Sequence, residues 1–176
     1  FDIPYTLTLE NLGNVVASNV QVVEDLQAGL PLGASIISVT TASVSPPLAV
    51  NPAFNGVGSN NLLTGNLDLP IGATTYPITF TVRVDMTGAT GTTYVNQVFA
   101  TTALVPNGTP TSTDTSDDGT NPDNGGVGQG DNGNPNDADE NDPTIVTLQY
   151  TQIGIAKSAS TANEVTEGVY DVVYTI

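Results

Sequence analysis

Apolar and polar residues alternate along much of this chain. Tyr5-Thr6-Leu7-Thr8-Leu9-Glu10 and Ile78-Thr79-Phe80-Thr81-Val82-Arg83-Val84 are the cleanest runs, and a period of two predicts strands with one buried and one wet face. Residues 18–26, 34–44, 61–69, 92–104, 144–150 and 153–158 are further candidates, rich in Val, Ile and Thr, which suit a pleated, half-buried surface. Clusters such as Asn11-Leu12-Gly13-Asn14, Ala28-Gly29-Leu30-Pro31 and Pro70-Ile71-Gly72 stand between them and supply the positive or fixed φ that turns need. A long helical period is missing. About seven to nine short strands at this spacing predict an all-β, immunoglobulin-like two-sheet sandwich.

The two ends of the chain resemble each other. Phe1-Asp2-Ile3-Pro4-Tyr5-Thr6-Leu7 aligns with Tyr170-Asp171-Val172-Val173-Tyr174-Thr175-Ile176, with three identical and three conservative positions at an offset of 169 residues. So long an offset fits whole domains joined end to end rather than a helical solenoid. The expectation is one unit of a tandem array. Residues 1–150 form a sandwich that lacks its own opening strand, expected upstream of Phe1, and residues 151–176 hold the opening strands of the next repeat.

Composition narrows the chemistry. A chain of 176 residues suffices for one all-β domain with a real core but not for two ordinary ones. Eighteen acidic residues face only Arg83 and Lys157, for a formal charge of −16, which excludes nucleic acid as a partner and disfavours anionic membrane. Histidine and cysteine are absent, which removes imidazole and thiol catalysis, disulfides and the usual zinc sites. The apolar runs are far shorter than the roughly 20 residues of a membrane helix, so membrane insertion is not expected. The first residues show no secretory leader pattern. These exclusions predict a protein that is not an enzyme.

Half of the acids fall in one stretch of the 106–143 segment: Asp114, Asp117, Asp118, Asp123, Asp131, Asp137, Asp139, Glu140 and Asp142, among Asn121, Asn124, Asn132, Asn134, Asn136, Asn141 and many Gly. Nine carboxylates this close repel one another, and a loop this long is either functional or disordered. Calcium takes six to eight oxygen ligands from carboxylates, amides and carbonyls. The predicted metal ligands are therefore Asp114, Asp117, Asp118, Asp123, Asp131, Asn132, Asn134, Asn136, Asp137, Asp139, Glu140 and Asp142, with calcium as the cofactor. Oxygen donors recur about every second residue over 131–140. The spacing is not that of an EF-hand, and extracellular modules bind calcium at roughly 10⁻⁴ to 10⁻³ M. A disordered acidic linker is the plainer alternative.

The order of these pieces resembles the conserved-repeat family called domain of unknown function eleven, found in very large secreted proteins of the Bacteroidetes. The residues that carry the resemblance are Tyr5-Thr6-Leu7-Thr8-Leu9-Glu10-Asn11-Leu12-Gly13-Asn14, Val23-Glu24-Asp25-Leu26, Phe54-Asn55-Gly56, Asn61-Leu62-Leu63-Thr64-Gly65 and Ile78-Thr79-Phe80-Thr81-Val82. After them come Tyr94-Val95-Asn96-Gln97-Val98, Asp114-Thr115-Ser116-Asp117-Asp118-Gly119-Thr120, Asn141-Asp142-Pro143-Thr144 and Ile155-Ala156-Lys157. The resemblance implies tandem sandwiches exported to the bacterial cell surface, with a role in stalks, adhesins or filaments and no known activity. It also implies that the opening strand carries the Lys of Ile155-Ala156-Lys157.

Other motifs have plainer readings. Asp114-Thr115-Ser116 resembles half of an aspartic-protease site, but only one such triplet occurs and it lacks flanking apolar strands. Gly126-Val127-Gly128-Gln129-Gly130 follows no predicted strand and opens no helix, so a hinge fits better than a phosphate loop. Asn107-Gly108-Thr109 is a formal glycosylation sequon. Surface sandwiches of some bacteria cross-link a strand Lys to a strand Asn, and the resemblance makes Lys157 and Asn96 candidates for such a bond, which needs a lysine buried beside an acid. It would join Lys157 to the Asn96 equivalent of its own repeat, and a solvent-facing lysine is the simpler reading.

The expected function is a structural or adhesive repeat of a bacterial extracellular surface protein or filament, stiffened by calcium. Its partners would be neighbouring copies, along one chain or by donor-strand exchange, and an unidentified surface ligand. A calcium-dependent carbohydrate-binding sandwich is the alternative, weakened by the lack of Trp and the small number of aromatics.

Overall fold

The computed structural model describes residues 1–40, 42–65, 67–103, 111–122, 141–149 and 153–176. These form antiparallel strands with no helix among them. The longest strand, β5 (Gly72–Asp85), organises one sheet. Tyr76, Ile78, Phe80, Val82 and Val84, every second residue, are all buried, as period two requires. On one side β5 pairs with β1 (Asp2–Asn11), Tyr5 opposite Phe80 and Leu7 opposite Ile78. On the other it pairs with β3 (Ser35–Val39) and β4 (Ser43–Val44). The order β1-β5-β3 leaves β1 at an edge.

A second group of strands packs on the inner face of that sheet. β2 (Ser18–Val23), β7 (Phe99–Ala103) and β8 (Ser112–Thr115) run in the order β2-β7-β8, and β6 (Thr93–Asn96) pairs with β9 (Thr144–Thr147). Both groups feed one core, in which Ile3, Val20, Val22, Leu62, Ile78, Phe80, Val82, Tyr94 and Val98 meet. Fully burying one aliphatic or Phe side chain of this kind contributes roughly 1.5–3 kcal/mol. The architecture is all-β and sandwich-like.

Residues 153–176 make a separate irregular hairpin. β10 (Ser158–Ala159) pairs with β13 (Tyr174–Thr175), and β11 (Asn163–Thr166) pairs with β12 (Val169–Asp171). Gly168, at φ 78°, turns the chain between β11 and β12. Every residue of this hairpin is exposed.

Several expected strands come out differently. Residues 61–69 form isolated bridges at Asn61, Leu63 and Leu69 instead of a strand, because Leu62 and Leu63 are adjacent and both fully buried, which a pleat cannot achieve on one face. The Gln21 side chain stands in for a ladder there, accepting from Leu63 N–H and donating to Leu63 C=O, both at 3.0 Å. The 92–104 run breaks into β6 and β7 around Gln97 and Val98. Within the expected 106–143 loop, Ser112–Thr115 is a strand hydrogen-bonded to β7. The expected 153–158 strand reduces to β10, which begins at Ser158.

Candidate functional site

Four of the expected calcium ligands lie among the described residues. Asp114 is in β8 opposite Ala100. Asp117 and Asp118 follow directly, with Asp117 Oδ1 accepting from the Asp118 N–H at 2.8 Å. Asp142 is exposed just before β9. Asp123, Asp131, Asn132, Asn134, Asn136, Asp137, Asp139 and Glu140 lie outside the described residues, as do 126–130 and 107–109. Among the described residues no three acidic side chains come close enough together to hold a metal ion.

The two ends of the acidic segment are nevertheless drawn to one point. Ser116 N–H donates to Val98 C=O at 2.8 Å, and Ser116 Oγ accepts from Val98 N–H at 3.0 Å. Gln97 Nε2 donates to Ser116 C=O at 3.3 Å and to Asn141 C=O at 2.7 Å. The residues after Asn141 then pair with β6. The acidic segment thus leaves the sheet after β8 and re-enters at β9, with one glutamine amide bridging exit and entry. This explains the break at Gln97: its side chain and the neighbouring Val98 backbone serve the base of the loop.

A second constellation was not identified as a site from the sequence. Val20, Val22, Glu24 and Leu26 all point inward, and Glu24 is fully buried. Glu24 Oε2 accepts from Asn96 Nδ2 at 3.2 Å, while Oε1 has no hydrogen-bond partner among the described residues. Burial pushes the Glu24 carboxyl up to about 7, the Asn96 hydrogen bond partly opposing this and the Asp25 charge adding to it. The Tyr5 and Tyr94 hydroxyls hydrogen-bond each other at 2.8 Å in the same buried region. Burial raises both phenols above their ordinary value, and the Glu24 charge raises them further. The signal for Glu24 was its place on the inward side of an alternating run, where an acid is out of character.

Asn96 connects this cluster to the surface. It lines a groove of about 280 Å³ with Tyr5 and Leu7 of β1, Val98, and Asp117 and Asp118. A second groove of about 430 Å³ continues along β1 past Leu9 and Asn11, with Ala100 and Asp114 on its far side. The pair runs the length of the β1 edge, between that strand and β8. The site therefore joins an open strand edge, an acidic rim and a buried acid–amide pair.

Family models, curated proteins and solved structures were compared with the chain, and none matches it.

Proposed function

We propose that the chain is a structural repeat of an extracellular bacterial surface protein or filament, an immunoglobulin-like sandwich stiffened by calcium in its acidic segment. The observation that carries this reading is the Gln97 clasp, which ties together Ser116 and Asn141, the residues on either side of seven carboxylates in the sequence. Such an anchor would turn ion binding in the loop into rigidity of the sandwich. The strand order supports the immunoglobulin-like reading. The β1-β5-β3 sheet corresponds to strands B, E and D, and β2, β6/β7 and β8/β9 correspond to C, F and G. In that scheme the place beside β1 belongs to strand A, and the hairpin over 158–175 pairs two segments as A and B would.

The match between the two ends and the resemblance to the domain of unknown function eleven repeats support tandem copies and a surface location. The role is mechanical and adhesive, with no substrate turnover. A carbohydrate-binding module has less to stand on, since Tyr5, Tyr76, Phe80 and Tyr94 are spent in the core. The test is calcium titration by calorimetry together with melting in calcium and in chelator. Binding near 10⁻⁴ to 10⁻³ M with a higher Tm in calcium is expected. No heat of binding and superimposable melts would sink the calcium reading.

A further inference from the structure

We propose that Asn96 is the acceptor of an isopeptide cross-link from the lysine of an added strand, Lys157 of a second copy of this chain, with Glu24 as the proton carrier. The inference rests on the sandwich reading above for the placement of that strand, and on the buried pair for the chemistry.

The placement follows from the hairpin. Ser158 stands opposite Thr175 and Ala159 opposite Tyr174, and at the offset of 169 residues Thr175 and Tyr174 correspond to Thr6 and Tyr5. Laid on β1 in the same register, the 153–166 segment of a second copy puts Ser158 opposite Thr6 and Lys157 opposite Leu7. Directly opposed residues of an antiparallel pair share a face. Leu7 faces the groove that Asn96 lines, so the lysine enters that groove. In the hairpin Lys157 Nζ lies 4.1 Å from the centre of the Tyr174 ring. The same relation on β1 sets the amine beside Tyr5, whose hydroxyl bonds Tyr94 in the cluster with Glu24.

The surface suits this occupant. Among the described residues β1 pairs with β5 alone, and an open edge is a template for another strand. The segment offered has Ile153 and Ile155 almost wholly exposed. Lys157 is one of two basic side chains in the protein, and Asp117 and Asp118 line the groove it would enter.

The reaction balances without an external reagent. On docking, the lysine ammonium gives a proton to the Glu24 carboxylate, leaving two neutral groups at the buried end of the groove. The amine nitrogen attacks Asn96 Cγ while the Glu24 acid hydrogen-bonds to the amide oxygen where negative charge develops. Glu24 then relays a proton from the attacking nitrogen to the amide nitrogen, the Cγ–Nδ2 bond breaks and ammonia leaves. The product is a lysine–aspartyl amide. An Oε1 without a partner among the described residues and an elevated carboxyl pKa are what such a relay requires.

The test adds a synthetic peptide of residues 153–166 to the full chain and reads intact mass after denaturation. The expected product weighs the sum of the two less one ammonia, with Lys157 of the peptide joined to Asn96 by fragment mapping. A peptide carrying Lys157→Arg binds without forming the adduct. Glu24→Gln in the chain slows adduct formation by at least about 100-fold, the usual scale of general acid–base help, while peptide binding persists. A folded chain that forms no adduct overturns the proposal, whether or not the peptide binds, and so does an adduct that survives Asn96→Ala. Neither result bears on the calcium titration, so the two readings fail separately.

Discussion

Replacing Glu24 by Gln isolates the energetic consequence of the buried acid. The folded protein holds this carboxyl at about 7 against an ordinary value of 4.5. A raised folded pKa means that the native state binds the proton more tightly than the unfolded chain. The stability it confers is fully present below about 4.5 and is lost as pH rises through about 7. At 1.36 kcal/mol per tenfold change in proton affinity, the loss is about 3 kcal/mol between pH 4.5 and pH 8. Asp2 and Asp85 do not act in this window. The Arg83 hydrogen bond lowers the first and hydrogen bonds from Thr87 lower the second, so their contributions fade only in acid. Gln at position 24 keeps the volume and an acceptor for Asn96 but cannot ionise. Thermal melts of both proteins at pH 5, 6, 7 and 8, at about 0.15 M salt to screen the net charge, should nearly coincide at pH 5. They should diverge upward, with Glu24→Gln more stable at pH 8 by about 3 kcal/mol, roughly 6 to 12 °C in Tm for a domain of this size. Parallel pH profiles would refute the assignment of a buried, titrating Glu24.

Three further substitutions probe neighbouring features. Tyr94→Phe strips the partner from the buried Tyr5 hydroxyl and is expected to cost about 1–3 kcal/mol in denaturant unfolding; an unchanged midpoint would mean that water reaches the site. Gly56 sits at φ 67°, and an added Cβ would lie 2.9 Å from the Leu26 Cβ, so Gly56→Ala should destabilise by about 1–3 kcal/mol from backbone strain and overpacking, against a null result if the loop simply shifts. Gln97→Ala removes both bonds at the base of the acidic segment. It should speed protease cleavage within 117–143 several-fold while lowering global stability by only about 1 kcal/mol; equal cleavage rates would show that the clasp does not hold the loop.

The fold class was legible because β5 and β1 alternate cleanly and Gly- and Asn-rich turns punctuate the chain. Breaks inside strands were not legible, for a common physical reason. At Gln21 and Gln97 a side chain takes hydrogen bonds that a continuous ladder would give to backbone, and a periodicity count sees only whether a residue is polar. The strand at Ser112–Thr115 was hidden by its acidic surroundings, although Thr113 and Thr115 pair with Thr101 and Phe99. The turn at Asn55 was not identified from the sequence either. Asn55 Oδ1 accepts from the N–H groups of Val57, Gly58 and Ser59, each at 3.0 Å, the turn chemistry that an Asn-Gly sequence announces.

Glu24 was missed for a different reason: residues 18–26 were read as a strand, and the inward place that alternation gives residue 24 was not drawn from it. A run of Val20, Val22, Glu24 and Leu26 places a carboxylate wherever the pattern places a core residue, and local rules offer no stabilising reason for it. Its ionised form costs about 3 kcal/mol at pH 8 by the linkage above, and one of its oxygens is unpartnered among the described residues. A leucine or glutamine would remove that penalty. Sites that break a local rule without structural compensation are where function is to be sought. Here the offending acid contacts an amide that lines a groove beside β1, and among the described residues β1 pairs with β5 alone. A core acid kept for packing would have both oxygens satisfied by the fold itself. An acid that carries a proton for the proposed cross-link needs one oxygen free to receive it, and Glu24 Oε1 has no partner among the described residues.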